Sequence, residues 1–279
     1  AATSTPYEGS HLHIADITGL TQGTTYHYRC GAAGSWSPDR SFRTAPKAGT
    51  PYRYAAYGDS RSDDAKRKIV MAAVLARKPA LSLHTGDFVG DGHKQSQWDQ
   101  WFKTMQPLLS TSPLMAALGN HEHLAKRYYD QFALPTHSPP SSSIPLESYY
   151  SFDYGPVHFI VLDNVEWIYD DEEERGRYRG GIGERQLAFV ENDLARVPED
   201  RLVVLMMHIP ITETHDRHGL YRLIETRRFC MSISAHRHFH EHKWLTREDG
   251  WQGPEPHHHV INVTVCGSWW RGAPDERGI

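Results

Sequence analysis

From residue 52 onward, short apolar runs that end in glycine alternate with amphipathic segments. The runs are YRYAAYG (52–58), ALSLHTG (80–86) and PLMAALGN (113–120). The stretches between them, at about 62–78 and 94–109, have helical periodicity. This alternation predicts an α/β core in which strands are connected by helices.

The later part of this region continues the mixed pattern. YYSFDYG (149–155) and VHFIVLD (157–163) predict two strands that form a hairpin. QLAFVENDLARV (186–197) predicts a helix, and RLVVLMMHIP (201–210) predicts a buried strand. Further strands are predicted from about residue 228. The acidic run DDEEERGRYRG (170–180) is interpreted as a solvated surface insertion.

The first 46 residues differ in character from the rest. Runs rich in Thr, Tyr and Ile, separated by Gly, Ser and Pro, are typical of antiparallel strands. A complete β-sandwich needs about 100 residues, so we expect residues 1–46 to be the last strands of a truncated all-β sandwich. APKAGTP (45–51) reads as a linker, and residues 52–279 form the second domain, truncated at its end.

Composition excludes several classes of protein. The chain has 30 Lys plus Arg against 34 Asp plus Glu, a net charge of −4, which argues against electrostatic binding to nucleic acid. No apolar run approaches the length of about 18 residues needed to span a membrane. Three widely spaced cysteines form neither a disulfide framework nor a zinc ribbon. The unusual feature is 19 histidines, the commonest metal ligand.

Metal-binding and proton-carrying side chains follow five of the predicted strands. Because strand carboxyl ends meet in one crevice of an α/β sheet, these side chains are expected to converge there. Each residue alone could be a helix cap or a buried structural histidine, but the ordered series is hard to produce by chance. The series is Asp59, Asp87, Asn120, His121, His208, His236 and His238.

The motifs that carry this series resemble those of the calcineurin-like metallophosphoesterase superfamily. They are GDSR (58–61), GDFVGD (86–91), GNHE (119–122), MMHIP (206–210) and AHRH (235–238). The resemblance implies a four-layer α/β/β/α sandwich and metal-dependent hydrolysis of small phosphoric esters. The first 46 residues are similar to the tail of the fibronectin III-like domain that precedes the catalytic domain in purple acid phosphatase-like enzymes.

By this resemblance the site holds two metal ions. Asp87 bridges them; Asn120, His208 and His236 complete one site, while Asp59 and His238 serve the other. Oxygen and imidazole donors suit Zn, Mn or Fe.

The resemblance also implies a mechanism. An activated water attacks phosphorus, and His121 donates a proton to the leaving group, with a hydrogen bond that merely holds the loop as its structural alternative.

Two positions depart from the family pattern. Arg61 stands where most members have a histidine ligand, and Gly90 stands where purple acid phosphatases have a tyrosine ligand. One metal site therefore has few protein ligands, and weak binding is expected there. Arg61 either binds the phosphate or forms a salt bridge to Asp63 or Asp91. Asp91, four residues after the bridging Asp87, is expected to orient His121 through a glycine-permitted bulge.

The C-terminal part resembles a bacterial calcineurin-like subgroup with a histidine run and a GSWW segment. Neighbouring residues in a strand point to opposite faces, so His257, His258 and His259 cannot all bind one ion. His240 and His242 are interpreted as surface strand residues. Trp269 and Trp270 either line a substrate wall or pack.

Three functions remain open from the sequence alone. The first is a phosphomonoesterase or phosphodiesterase, the second a metal-depleted binding module, and the third a dinuclear hydrolase of phosphotriesters or sulfate esters. By resemblance the protein is expected to be exported, although the chain shows no signal peptide. The oligomeric state stays open.

Overall fold

The computed structural model describes residues 2–122, 125–136, 147–168 and 176–266. Trp269, Trp270 and the rest of the predicted C-terminal end lie outside the described residues. The N-terminal part contains six short strands in three two-stranded antiparallel sheets, β1–β2, β3–β6 and β4–β5. The strands are β1 Ala2–Tyr7, β2 Ser10–Ala15, β3 Thr25–Tyr28, β4 Gly31–Ala32, β5 Ser35–Trp36 and β6 Arg40–Arg43. The fibronectin III-like origin and the boundary at residue 46 stay predictions.

The first α/β unit forms where the alternating pattern predicted it. Its elements are β7 Tyr54–Tyr57, α1 Asp64–Ala76, β8 Leu81–His84, α2 Gln95–Leu109, β9 Leu114–Ala116 and α3 Lys126–Gln131. Strands β7, β8 and β9 make a parallel three-stranded sheet in that order. Helix α1 starts at the predicted place because the Asp63 side chain accepts a hydrogen bond from the Lys66 backbone N–H, 3.0 Å away.

A larger sheet of six strands follows, with order β10–β11–β14–β15–β17–β16. Its elements are β10 Tyr150–Tyr154, β11 Val157–Val161, β14 Leu202–Met206, β15 Cys230–Ser234, β16 Glu241–Leu245 and β17 His257–Ile261. The predicted hairpin is confirmed as the antiparallel pair β10–β11. Strands β11, β14, β15 and β17 are parallel, so their carboxyl ends share one edge.

The two sheets pack face to face. Along β11, Phe159 and Val161 enter the core between the sheets, where the Phe159 ring meets the Tyr54 ring of β7 with centroids 5.9 Å apart. Ile160 points the other way, into a second core. Because strand side chains alternate between faces, a strand buried on both sides has a continuous apolar sequence, as β14 does.

The remaining helices cover the outer face of the large sheet. They are α4 Gly183–Leu194 and α5 Arg217–Ile224, and their residues Val190, Leu194 and Leu220 belong to the second core. Helices α1 and α2 contribute Met71, Trp101 and other residues to the first core, on the smaller sheet. The predicted four-layer order of helices, sheet, sheet and helices is therefore present.

The acidic insertion is partly structured. Residues Arg177–Gly180 form strand β13, which pairs antiparallel with β12, Val165–Ile168. Residues 177–179 are exposed, as a solvated insertion requires, but they form a strand that the charge pattern did not predict. Trp167 and Tyr178 pair across the two strands with ring centroids 5.4 Å apart. Residues 169–175 lie outside the described part of the chain.

A buried histidine links β11 to β10 and α4. The two ring nitrogens of His158 each lie 2.7 Å from a carboxylate oxygen, one of Asp153 and one of Asp193. Burial lowers the pKa of His158, but the hydrogen bonds to Asp193 and Asp153 outweigh burial and raise it above its usual value. A raised folded-state pKa stabilises the fold below about pH 6.5, and this stabilisation is lost as pH rises through the folded pKa.

We therefore expect His158→Gln to lower the thermal unfolding midpoint more near pH 6 than near pH 9. His27→Gln is the matched control, because His27 also pairs with an aspartate, Asp39, but its side chain is 67% exposed. This control should change the midpoint little at either pH. An equal loss for His158→Gln at both pH values would contradict the charged pairing.

Candidate metal centre

Seven sequence-predicted residues meet at the shared carboxyl edge of the two sheets. Asp59 follows β7, Asp87 follows β8, Asn120 follows β9, His208 follows β14, and His236 follows β15. A backbone bridge between Gly58 and Thr264 joins the sheets at this edge. His121 and His238 lie beside them, as the contacts below establish.

Four of these residues have positive φ angles, a backbone conformation that residues other than glycine rarely adopt. The φ angles are 48° at Asp59, 60° at Asp87, 69° at His236 and 58° at His238. Aspartate and histidine tolerate this left-handed region better than most residues, at a cost in strain. Sharp turns at these positions bring the side chains back over the strand ends, and this strain is concentrated at the candidate site.

His208 is fixed with one ring nitrogen turned toward its neighbours. Its Nδ1 lies 2.7 Å from the Thr85 carbonyl oxygen, which can only accept, so Nδ1 carries the proton in the neutral ring. Its Nε2 then presents a lone pair 3.0 Å from Asn120 Oδ1 and 3.4 Å from Asp87 Oδ1. His208 is fully buried, so these acceptor atoms face each other away from solvent.

Asp87 lies at the centre of the group. Its Oδ1 accepts a hydrogen bond from the His121 backbone N–H at 3.0 Å, and its Oδ2 lies 3.4 Å from Arg61 Nε. Burial raises the pKa of Asp87, but the neighbouring His208, His121 and Arg61 outweigh burial and hold it below its usual value. Asp87 is thus an ionised carboxylate with both oxygens turned toward cationic or donor groups.

Asp59 connects the two C-terminal histidines. Its Oδ2 accepts a hydrogen bond from the His236 backbone N–H at 2.9 Å, and its Oδ1 lies 3.2 Å from His238 Nε2. The His236 ring nitrogen Nδ1 lies 3.2 Å from His208 Nε2. Burial, followed by the nearby His208, lowers the pKa of His236 to about 3, so its ring is neutral.

The donor atoms of this group fit a metal ion. Ligand atoms of Asp59, Asp87 and His208 all lie within 4.8 Å of one another, the only such set of three among the described residues. His208 Nε2 also lies 3.0 Å from Asn120 Oδ1 and 3.4 Å from Asp87 Oδ1, so imidazole, amide and carboxylate ligand atoms meet at one place. Neutral imidazole with carboxylate suits Zn, Mn or Fe.

The orienting group at His121 differs from the expected one. His121 Nδ1 lies 2.8 Å from the Gly90 carbonyl oxygen, whereas Asp91 accepts from the His93 backbone N–H at 3.0 Å and lies 3.4 Å from Lys94 Nζ. Asp91 was expected to orient His121, but the backbone turn places the Gly90 carbonyl there. His121 Nε2 is consequently turned toward Asp87 Oδ2, 3.8 Å away.

Arg61 pairs with the central carboxylate. The sequence left a choice between phosphate binding and a salt bridge to Asp63 or Asp91, and the structure places Nε of Arg61 against Asp87 instead. Asp63 caps α1 and Asp91 lies beside Lys94. The Arg61 side chain is 12% exposed, so this cation lies at the wall of the site.

Glu122 is a buried residue of the site that the sequence interpretation missed, although GNHE contains it. Its Oε2 accepts from the backbone N–H groups of Gly119 at 2.8 Å and Asp87 at 3.0 Å, and its Oε1 accepts from Phe88 at 2.9 Å. Burial, followed by the Asp87 carboxylate, raises the pKa of Glu122 well above its usual value. The three backbone donors lower this pKa, but by less. Glu122 thus joins the two loops that carry Asp87 and Asn120.

Asn164, at the end of β11, supports the His208 loop in a similar way. Its Oδ1 accepts from the backbone N–H groups of His208 at 3.2 Å and Ile209 at 3.0 Å, and its Nδ2 donates to the Ile209 carbonyl at 2.7 Å. Thr264 supports the Asp59 loop, since its Oγ1 donates to the Asp59 carbonyl at 2.7 Å. A polar residue directly after a buried strand was the only sequence signal for Asn164.

The histidine run in β17 follows the alternation predicted from the sequence. His257 and His259 share a buried face, where the Ser232 hydroxyl lies 2.9 Å from His257 Nε2 and 2.7 Å from His259 Nδ1. His258 lies on the opposite face, against Trp244. The buried pair is part of a structural hydrogen-bond network and not of the metal centre.

Close packing of glycines sets the spacing of the site. A Cβ on Gly119 would overlap the backbone nitrogen and Oδ1 of Asp87, whereas a Cβ on Gly90 would meet only Gln97 Oε1, at 3.3 Å. We expect Gly119→Ala to abolish most metal-dependent activity and to lower the free energy of unfolding by about 1–3 kcal/mol, the usual cost of overpacking. Gly90→Ala is the control, and its free energy of unfolding and metal content should stay near those of the wild type. Urea unfolding and metal analysis measure both variants. Equal effects of the two substitutions would contradict this packing argument.

Comparison with known proteins shows the family to which the chain belongs. A model of the calcineurin-like phosphoesterase family matches residues 12–240, which confirms the resemblance seen in the motifs. Purple acid phosphatase 22 of Arabidopsis thaliana is 27% identical over 254 residues, covering 84% of this chain and 54% of that protein. Purple acid phosphatase 23 of the same plant is 30% identical over 252 residues, covering 76% and 51%. The chain spans about half the length of these relatives.

Solved structures show the same fold. A purple acid phosphatase, PPD1, from yellow lupin (Lupinus luteus) seeds superposes with a TM-score of 0.73 at 17% identity, covering 95% of this chain and 57% of that one. A structure of PhoD gives 0.68 at 14% identity, covering 93% and 65%. Among the described residues, no helix is long and apolar enough to cross a membrane.

Proposed function

Because this chain belongs to the calcineurin-like phosphoesterase family, we propose that it hydrolyses phosphoric esters at a centre for two metal ions. The observation that carries this proposal is the convergence of Asp59, Asp87 and His208, whose ligand atoms lie within 4.8 Å of one another. Asp87 would contact both ions, since each of its oxygens can bind one. Asn120, His208 and His236 would complete one site, and Asp59 with His238 the other.

Two ions held there would neutralise charge on the phosphoryl oxygens and lower the pKa of a water molecule. The chain's own residues position the ester. Arg61, at the wall of the site beside Asp87, presents a planar guanidinium that suits bidentate contact with phosphoryl oxygens. Tyr178 of β13 adds an aromatic ring beside His236, with the two ring centroids 5.9 Å apart.

His121 is proposed as the proton donor to the leaving group. Its Nδ1 is held by the Gly90 carbonyl at 2.8 Å, and its Nε2 is directed into the site near Asp87 Oδ2. The side chain is 24% exposed, so an ester entering the site can reach it. A histidine held at one nitrogen and accessible at the other is suited to general acid catalysis.

The proposal is tested with the full chain, p-nitrophenyl phosphate and bis(p-nitrophenyl) phosphate. We expect hydrolysis to disappear when metal is removed by a chelator and to return when Zn²⁺, Mn²⁺ or Fe²⁺ is added back, and the preferred ester distinguishes monoesterase from diesterase. Metal content measured in parallel should approach two ions per chain. Metal-loaded protein that hydrolyses neither ester would overturn the proposal and favour a binding module.

The role of His121 predicts a dependence on the leaving group. We expect His121→Ala to lower kcat by about 10²–10⁴-fold on an alkyl phosphate, the usual contribution of general acid catalysis. The loss on p-nitrophenyl phosphate should be smaller, because nitrophenolate leaves without being protonated. His93→Ala, which removes a neighbouring histidine from the Asp91 turn, serves as control. Equal losses of His121→Ala on both esters would contradict the proton-donor role.

A further inference from the structure

A row of aromatic side chains, here named the histidine row, lies on edge strand β16, on the residue just before it, and on the neighbouring strand β17. It consists of His240, His242, His258 and Trp244. Ring centroids are 5.0 Å apart for His240 and His242, 5.1 Å for His242 and His258, and 4.4 Å for Trp244 and His258. Three imidazoles are therefore adjacent on the sheet edge.

The strand geometry places this row on one accessible face. Trp244 and His258 are cross-strand partners, and His242 is two residues before Trp244 on the same face of β16. In the described part of the chain His240 and His242 are exposed, Trp244 is 57% exposed, and His258 is half-buried. Strand β16 is the outermost strand of the larger sheet, so it has a neighbouring strand on one side only.

The contact between two of these imidazoles has the spacing of metal ligands. His242 Nδ1 and His258 Nε2 lie 2.9 Å apart. When one ion binds two nitrogens at about 2.0–2.1 Å each, the distance between the nitrogens depends on the nitrogen–metal–nitrogen angle. A right angle gives about 2.9 Å between them, and a tetrahedral angle gives about 3.3 Å. Right-angled nitrogen ligands are typical of Cu²⁺ and Ni²⁺, and Cu²⁺ binds imidazole most tightly of the common divalent ions.

We propose that His242 and His258 form a second, surface metal site that binds Cu²⁺ through these two nitrogens. Burial and the neighbouring His242 ring lower the pKa of His258, which keeps it neutral and able to bind metal at neutral pH. The ring that now donates the shared hydrogen bond moves its proton to its other nitrogen, so two lone pairs face the ion.

The test is a Cu²⁺ titration of the full chain whose metal centre has first been loaded with Zn²⁺. Electron paramagnetic resonance should show one tight Cu²⁺ equivalent with nitrogen hyperfine coupling in the wild type. His242→Gln/His258→Gln should lose that equivalent while retaining its Zn²⁺ content and its unfolding midpoint. His242→Gln alone, a change at an exposed position, should weaken it.

A matched control is available on another strand. His11 and His13 are also two residues apart in β2, with rings stacked 6.2 Å apart. His11→Gln/His13→Gln removes the same number of imidazoles and should leave the tight Cu²⁺ equivalent in place. The proposal is overturned if His242→Gln/His258→Gln binds Cu²⁺ as tightly as wild type, or if the His11/His13 variant loses the tight equivalent instead.

Discussion

Replacing Asp87 with asparagine is expected to lower kcat for p-nitrophenyl phosphate by a factor on the order of 10³ or more. Active sites typically lose activity by such a factor when one group that stabilises charge in the transition state is removed. The Asp87 carboxylate lies 3.4 Å from both His208 Nε2 and Arg61 Nε. An asparagine has no negative charge and presents an NH₂ group in place of one oxygen. It cannot hold two cations, so metal analysis of the purified variant should show loss of bound metal together with activity.

Asp91→Asn is the matched control for this experiment. Asp91 is four residues further along the same loop, is 32% exposed, and pairs with Lys94. We expect this variant to keep its metal and nearly all of its activity, because the Gly90 carbonyl and not Asp91 holds His121. If both variants lost activity equally, the loss would come from damage to the loop, and the assignment of Asp87 as the bridging ligand would be wrong.

Glu122→Gln is expected to lower the free energy of unfolding by about 1–3 kcal/mol, the usual cost of leaving a buried hydrogen-bond donor without an acceptor. Glu122 is fully buried and accepts from the backbone N–H groups of Gly119, Asp87 and Phe88. A glutamine would turn an NH₂ group toward donors of its own kind. Urea unfolding measures the effect.

Activity should fall with stability in this variant, although Glu122 acts only by positioning the loops of Asp87 and Asn120. A lower kcat at unchanged KM, measured well below the unfolding midpoint, separates this positioning effect from partial unfolding. Glu184→Gln, at an exposed position in the first turn of α4, should change unfolding by less than about 0.5 kcal/mol. Wild-type stability in Glu122→Gln would show that the buried carboxylate is dispensable.

The sequence predicted the strands and helices well where the pattern is local. Helix α1 begins after Asp63 and β14 is a continuous apolar run, and both features follow from neighbouring residues alone. The series of candidate ligands was predicted for the same reason, because its members follow strands whose pattern is readable. Sheet geometry then requires these strand ends to meet at one edge.

The sequence could not predict contacts made by the backbone. The Gly90 carbonyl that holds His121 and the Thr85 carbonyl that holds His208 leave no signature in a side chain. The partner of Arg61 was missed for a related reason. Asp87 is distant from it in sequence, whereas Asp63 and Asp91 were the nearer acids to consider.

The strand β13 was missed because its neighbours in sequence are charged. An acidic run is typical of a solvated loop, but Tyr178 pairs with Trp167 across the hairpin. That pairing depends on a partner eleven positions earlier in the chain, and it places an aromatic ring beside His236. A local charge pattern contains no information about such a partner.

The sequence by itself determined which donor atoms are present, in what order, and at which strand ends, because these follow from residue type and short-range periodicity. Only the tertiary structure decided which donors face each other and which acids hold the loops. The order β10–β11–β14–β15–β17–β16 places His208 and His236 on adjacent strands and leaves β16, with His242, at the edge. That order depends on packing between segments far apart in the chain, which the residue types and local periodicity of each segment do not specify.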